Sequence, residues 1–346
     1  MKRILALSLS LCVFSTFASE KDGKLDVIWS DVEGGAATLI VTPRGESVLI
    51  DTGNPGDRDS QRIFKAAKDA GLTRIDHVIV THLHIDHFGG VAELAKLIPI
   101  GTLWDNGVPA TDPDGNKSNT SFLLTIKPYR EMEVGHREVI KPGTELPLKQ
   151  PEKGPKLSVR CLAAKQSFID RPDAKETDCS GGKDKDKDTS DNANSVVTLV
   201  EFGNFQLFIG GDLTWNVEKL LVCPKNLVGE VDVYQVTHHG LDQSNNPLLV
   251  KALQPTVTIM SNGTTKGCAA ETMATLRSIP SIQAMYQIHR SLREDHATVN
   301  TSEDLIANLD KACKAVPIHL SVSPDAAHYT VSIPGNKASV KTFATK

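Results

Sequence analysis

The stretch that most limits what this chain can fold into is residues 77–90, HVIVTHLHIDHFGG. Its apolar run, 78–80, reads as a buried strand. The run flows without a break into His82, His84, Asp86 and His87. On a strand end, His82 and His84 point to one side, because successive side chains alternate. The chain then turns at 85–87 and enters a helix at Gly89-Gly90, where the lack of side-chain bulk leaves the turn uncrowded. Two imidazoles and then a carboxylate–imidazole pair thus converge from one loop on two neighbouring cations. Such a nitrogen-plus-oxygen set suits borderline metals such as zinc. A lone histidine is usually structural; three in six positions around an aspartate point to a metal site.

Short apolar runs recur around this junction: LDVIWS (25–30), ATLIVT (37–42), SVLIDTG (47–53) and IGTLWDNG (100–107). Amphipathic stretches separate them, at 59–70 with Ile63, Phe64, Ala67 and Ala70 on one face, and at 90–97. The second half repeats the rhythm. SVVTLVEFGNFQLFIGGD (195–212) reads as a hairpin turning at Gly203-Asn204. A helix over 215–222, the run VDVYQVTHHG (231–240), a helix over 247–253 and PTVTIMSNG (255–263) follow. Strands alternating with helices in both halves predict a layered α/β fold. Two regions interrupt it and are expected as surface insertions: 106–155, with a helix over 122–132 and a hairpin within 138–148, and 170–194, whose alternating Lys and Asp predict a mobile loop. In that loop Lys183, Lys185 and Lys187 are expected to be solvated. The tail, 315–343, alternates like two or three edge strands.

MKRILALSLSLCVFSTFASE opens with Lys2 and Arg3, continues apolar to Phe17 and ends in small residues. That is the pattern of a secretory signal peptide over 1–18, with an apolar run too short to span a bilayer comfortably and Cys12 a passenger within it. The expected mature protein is secreted or periplasmic and has no membrane span. Losing Lys2 and Arg3, with no acidic residue among 1–18, moves the formal charge from −4 to −6. An acidic chain is not built to hold a long polyanion, so no stable nucleic-acid complex is expected, and the oligomeric state is left open. Cys161, Cys179, Cys223, Cys268 and Cys313 remain in the mature chain, none in C-x-x-C spacing, which argues against a thiolate zinc site. In an oxidising compartment some should pair, and Cys268 with Cys313 is the expected bridge.

The HxHxDH run with its Gly-Gly resembles the second motif of the metallo-β-lactamase fold superfamily. Asp51-Thr52-Gly53 is similar to the first motif, Gly211-Asp212 to the fourth and His238-His239-Gly240 to the fifth, in the family's order. The combination of NANSVV, FIGGD and VYQVTHHG most resembles the metallo-β-lactamase domain of ComEC-type DNA-uptake proteins and its secreted relatives. The resemblance spans roughly 25–290. It implies a four-layer αββα sandwich in a hydrolase domain over 25–300, with the insertions on its surface and strands over 301–346 packing on the same domain.

By this resemblance His82 and His84 hold a first metal, Asp86 and His87 a second, and Asp212 bridges both. One of His238 and His239 completes the second site while the other lines the pocket or meets the substrate, because neighbours on a strand face opposite ways; His238 is the favoured ligand. Asp51 orients a ligand histidine or its loop. The third-motif histidine is missing: the region reads Asp191-Asn192-Ala193-Asn194-Ser195. Asn192 and Asn194 are then weak ligands or hydrogen-bonding partners of water or substrate, and Asn194-Ser195 reads equally as a turn before a strand. Among the remaining candidates His77 is expected to be structural, His136 a distant contender for the third-motif role, and His289 and His296 surface or pocket-rim residues. Asp112 and Asp114 read as turn residues of DPDGN.

The implied chemistry is hydrolysis by a zinc-bound hydroxide, because a bound cation brings the pKa of water from about 15.7 towards about 7. Asp86 and Asp212 are the catalytic carboxylates, Asp86 also a proton acceptor. The cofactor is one or two Zn2+ ions, with Mn2+ or Fe as alternatives. The substrate expected from the ComEC-like resemblance is a phosphoester, either a small phosphodiester or a short oligonucleotide. A β-lactamase- or lactonase-type carbonyl hydrolase is the alternative, and a non-catalytic binding module on a decayed metal site is the reading of another class.

Overall fold

Each apolar run of the first half becomes a strand of one sheet, because β-branched residues pack well on a pleated surface buried on both faces. The computed structural model describes residues 22–116, 120–293, 299–312 and 314–346; the expected signal peptide, His296 and Cys313 lie outside them. Strands β1 (Leu25–Trp29), β2 (Thr38–Val41) and β3 (Ser47–Ile50) form an antiparallel meander. Helical crossovers then add β4 (Ile75–Ile79), β5 (Ile100–Asp105) and β6 (His136–Val139) in parallel. A hairpin within 138–148 is therefore not what forms. Strand β6 is a parallel edge strand beside β5, and Glu145 bridges instead to Arg160.

The second sheet begins with β7 (Leu157–Ala164), β8 (Ser167–Phe168) and the hairpin of β9 (Val197–Phe202) and β10 (Phe205–Ile209), which turns at Gly203-Asn204 as its sequence predicts. Parallel strands β11 (Val233–Gln235), β12 (Val257–Met260), β13 (Ala284–His289) and β14 (Ile306–Asn308) complete it. The tail supplies β15 (Ile318–Val322), β16 (His328–Ile333) and β17 (Asn336–Ala344), which join the first sheet through β1. Among the described residues the two sheets have nine and eight strands.

Helices cover the outer faces. Helices α1 (Asp57–Asp69), α2 (Ile85–Phe88), α3 (Val91–Leu97) and α4 (Thr120–Glu131) belong to the first half, and α5 (Trp215–Leu220), α6 (Pro247–Leu253) and α7 (Ala270–Arg277) to the second. Helix α1 buries Ile63 and Ala67, carries Asp57 and Asp59 in its first turn, and so complements its own dipole. Three apolar layers result: one between the sheets around Trp29, Ile50, Phe205 and Ile259, and one beneath each set of helices. The chain is an αββα sandwich. Trp29 Nε1 and Thr38 Oγ1 both donate to Gln235 Oε1, at 2.7 and 2.9 Å, tying the sheets across the central layer. The carboxyl ends of β3, β4, β10, β11 and β12 meet at one end of the sandwich, where open sheets leave room for ligands.

Candidate metal centre

The site is built around the loop after β4. The strand ends at Ile79, so His82 and His84 stand beyond it and strand alternation is not what aims them. Their rings meet edge to face with centroids 4.7 Å apart. One-turn helix α2 carries Asp86 and His87, and the chain passes through Gly89-Gly90 into α3. Those glycines are needed for approach. A Cβ at Gly89 would lie 2.2 Å from the Ile85 carbonyl oxygen, and one at Gly90 would lie 2.2 Å from that of Thr52. The loop after β3 therefore presses against the turn, and it brings Asp51. Asp51 Oδ1 and Oδ2 accept from the Thr81 amide and hydroxyl, each at 2.8 Å, and Oδ2 lies 2.7 Å from His87 Nδ1.

Asp212 follows β10 behind Gly210-Gly211, and its amide donates to Ser195 Oγ at 3.2 Å. Beyond β11, residues 237–240 form a 3-10 turn in which His238 and His239 both take left-handed conformations, φ 54° and 55°. This departs from the expectation that the two histidines face opposite ways on a strand. Both rings enter one pocket, with Nε2 of His238 3.4 Å and Nε2 of His239 3.3 Å from Asp212 Oδ2. His239 is the one that closes a compact set with Asp86, His87 and Asp212.

Within that set the spacings are even. His87 Nε2 lies 3.5 Å from Asp86 Oδ2, 3.2 Å from Asp212 Oδ2 and 3.3 Å from His239 Nε2, and His239 Nε2 lies 3.3 Å from Asp86 Oδ2. Ligands about 2.0–2.1 Å from a tetrahedral cation sit roughly 3.3–3.4 Å from each other, so these are the edges such an ion imposes. The second nitrogens are fixed from behind. His87 Nδ1 faces Asp51, His239 Nδ1 faces the Ser261 carbonyl at 2.9 Å, and His82 Nδ1 faces the Thr81 hydroxyl at 3.1 Å. Each Nε2 is left pointing inward, as metal-binding imidazoles require. His82 Nε2 is buried and has no hydrogen-bond partner. An orphaned lone pair beside a carboxylate-rich set fits a cation and little else.

Electrostatics agree. Burial alone would raise the Asp86 and Asp212 carboxyls, yet both are held well below the usual range, Asp86 by His87, His239 and Lys266, and Asp212 by His239, His87 and His238. Burial opposes a proton on His87, but Asp212, Asp51 and Asp86 together push its pKa well up; burial opposes a proton on His239 too, and Asp212 raises its pKa. In the metal-free protein those protons stand where a cation would, since metal and proton compete for the same lone pairs. His82 and His238 behave oppositely: burial lowers both, His238 to about 4.

Sequence reasoning missed several neighbours that tertiary structure delivers. Asp114, expected only as a turn residue, reaches His84 Nε2 with Oδ1 at 3.1 Å and accepts from the Asp191 amide at 2.8 Å, whereas Asp112 does cap that turn. Asp191 Oδ2 in turn accepts from the Leu83 amide at 2.7 Å, fastening the histidine loop. Lys266 Nζ lies 2.5 Å from Asp86 Oδ2 at the open side of the pocket. Asn192 Nδ2 sits 3.5 Å from His238 Nε2, while the Asn194 side chain is spent on Asp191 and Gln166. His77 is structural, accepting from Trp104 Nε1, and His136 is exposed on β6, away from the pocket. His289 is fully buried and paired with Asp31 at 2.7 Å, so it is neither a surface nor a rim residue.

The charged insertion is pinned rather than free. Cys179 is bonded to Cys223, Lys185 Nζ stacks 3.8 Å over the Trp215 ring and pairs with Glu271, and Trp215 Nε1 donates to the Lys183 carbonyl. The expected Cys268–Cys313 bridge does not form on the Cys268 side: Cys268 is a buried free thiol that accepts from Gln287, and Cys313 lies outside the described residues. Spacing alone does not select a pairing, and the observed one closes the insertion onto the loop after α5.

Residues 30–119 match the family model described as the metallo-beta-lactamase superfamily. A metal-dependent hydrolase of Cupriavidus metallidurans is 34% identical over 95 residues, covering 27% of this chain and 30% of that protein. Recombination protein 2 of Haemophilus influenzae is 24% identical over 263 residues, covering 75% of this chain and 26% of that protein. The chain thus aligns with less than a third of the length of either relative. Among solved structures, the E377D mutant of the CmlA beta-hydroxylase aligns with a TM-score of 0.44 at 16% identity, covering 76% of this chain and 52% of that one.

Proposed function

As a member of the metallo-β-lactamase superfamily, this chain is, we propose, a metal-dependent hydrolase that cleaves phosphoester bonds in small or short-chain substrates. The observation that carries the reading is the convergent set of His87, His239, Asp86 and Asp212, spaced as the corners of a coordination polyhedron, with the outer nitrogens locked by Asp51 and Ser261. These four would hold one divalent ion, zinc being the best match for two nitrogens and two carboxylates, and by the motif resemblance His82, His84 and Asp212 would serve a neighbouring position. When bound, such an ion supplies Lewis acidity and a water acidic enough to ionise near neutral pH.

The chain's own residues do the rest. Asp51 and Ser261 keep the Nε2 lone pairs of His87 and His239 aimed inward. Asp86 reaches the pocket mouth and takes up the proton lost by attacking water at Oδ1, since Oδ2 faces His87, His239 and Lys266. The Lys266 ammonium at that mouth offers a charge-assisted contact to a phosphate oxygen. This local cation supports an anionic substrate, and the preference for a phosphoester over a lactam rests on the ComEC-like resemblance of the motifs. The overall acidity supports a short substrate rather than long DNA. The Cys179–Cys223 disulfide supports an exported protein, in keeping with the signal-like N-terminus.

The test is hydrolysis of bis(p-nitrophenyl) phosphate and of nitrocefin by the metal-loaded chain, with and without chelator, and by Asp212→Asn. Phosphodiester turnover that disappears with chelator and in the variant is expected. Turnover of nitrocefin alone, or phosphodiester turnover indifferent to chelator, contradicts the proposal.

A further inference from the structure

Taking the metal-dependent reading above as its basis, we infer that His238 supplies the imidazole missing from the third motif, so that the doubled histidine serves both cation positions: His239 the second, His238 the first. The turn makes this possible. Two successive left-handed residues curl the chain tightly enough to bring both rings into the pocket, with centroids 6.1 Å apart and both Nε2 atoms against Asp212 Oδ2. Non-glycine residues adopt that conformation only where the surroundings compel it, and such positions concentrate at functional sites.

Proton placement decides what His238 offers. The Ser244 hydroxyl donates its only hydrogen to the Leu213 carbonyl at 2.7 Å, so towards His238 Nδ1, 3.1 Å away, it acts as acceptor. The His238 proton is therefore on Nδ1 and its Nε2 is a bare lone pair. That lone pair faces a carboxylate oxygen at 3.4 Å, and its other neighbour, Asn192 Nδ2, stands at 3.5 Å, the outer limit of a hydrogen bond. A lone pair with only this long amide contact, set against a carboxylate oxygen, is an arrangement that a cation would satisfy.

The same logic applies across the pocket. The Thr81 hydroxyl donates to Asp51 Oδ2 and so accepts from His82 Nδ1, leaving the partnerless His82 Nε2 bare as well. His84 Nε2 stands at the mouth beside Asp114. Asn192, in the third-motif region, sets its amide nitrogen beside His238 Nε2, and its Oδ1 is itself buried without a partner. Among the described residues the donors already drawn together are Asp86, His87, Asp212 and His239. If His82, His84 and His238 closed on the first position with one Asp212 oxygen, they would suit a borderline divalent transition metal rather than Mg2+ or Ca2+.

The experiment is zinc content per chain by mass spectrometry, after loading and dialysis of the full-length protein, with binding affinities from competition against a chelating dye and folding monitored by circular dichroism. The wild type should hold two ions, His238→Ala one, His239→Ala one and the double variant none. Ser244→Ala, which keeps the ring and removes only its orienting partner, should weaken one of the two ions about 10–100-fold. A folded His238→Ala or Ser244→Ala that keeps two ions at wild-type affinity overturns the assignment and leaves the hydrolase reading standing. A wild-type chain holding a single ion does the same. A wild-type chain that binds none overturns the hydrolase reading with it.

Discussion

Asp51 shows how much a single side chain is asked to do here. At φ 60° it closes β3, accepts twice from Thr81 and holds the Nδ1 proton of His87. An outer partner of this kind typically contributes 10–100-fold to metal affinity. Asp51→Asn should weaken ion binding by about that factor with the fold intact, as read by dye competition; unchanged affinity would remove Asp51 from the site. Its role was legible because the Asp-Thr-Gly resemblance carried it. Asp114, Asp191 and Lys266 were not legible: each reaches the pocket from a loop distant in sequence, and nothing in their local spacing distinguishes them from turn or surface residues. His238 and His239 mark a different limit. Alternation was the right argument for a strand, and the chain leaves strand geometry two residues earlier.

At the scale of elements, the β9–β10 hairpin and helices α1, α3, α4 and α6 form close to where periodicity and turn residues place them. What periodicity does not carry is the pairing of edges and straps. Thus β6 joins β5 in parallel, and Cys179 finds Cys223 through the docking of the insertion on α5. Helix α5 also contains the fully buried Glu218, which receives the Asn246 amide at 2.7 Å and is pushed by burial from 4.5 up to about 7. The sign is opposite to that of an ion-paired carboxylate. Between pH 4.5 and 7 the folded chain keeps a proton that the unfolded chain has lost, so stability falls as pH rises through that window and levels off above it. The shift corresponds to about 3 kcal/mol. Glu218→Gln, which can still accept from Asn246, should flatten that dependence and be the more stable protein at pH 8, by urea denaturation. Parallel wild-type and variant profiles from pH 5 to 8 would contradict the assignment.

At the scale of the molecule, alternating strands and helices in two halves were enough to predict layers, and the metal motif fixed which end of them matters. The tail was harder to read. Its strands looked like edges, yet β15 covers β1, and Ile318, Leu320, Val322, Tyr329, Val331 and Ile333 are buried between the sheets. At about 1.5–3 kcal/mol per side chain, six such residues contribute roughly 9–18 kcal/mol of apolar burial, comparable to or above the whole stability of an ordinary domain. Deleting residues 314–346 should therefore abolish the cooperative thermal transition, and a soluble truncation melting at the wild-type temperature would refute that. This end of the sandwich is proposed to be a metal centre. Anomalous diffraction from crystals of the metal-loaded protein tests it most directly. A peak is expected about 2.0–2.2 Å from His87 Nε2, His239 Nε2, Asp86 and Asp212. A loaded crystal with no peak at those four side chains would contradict it.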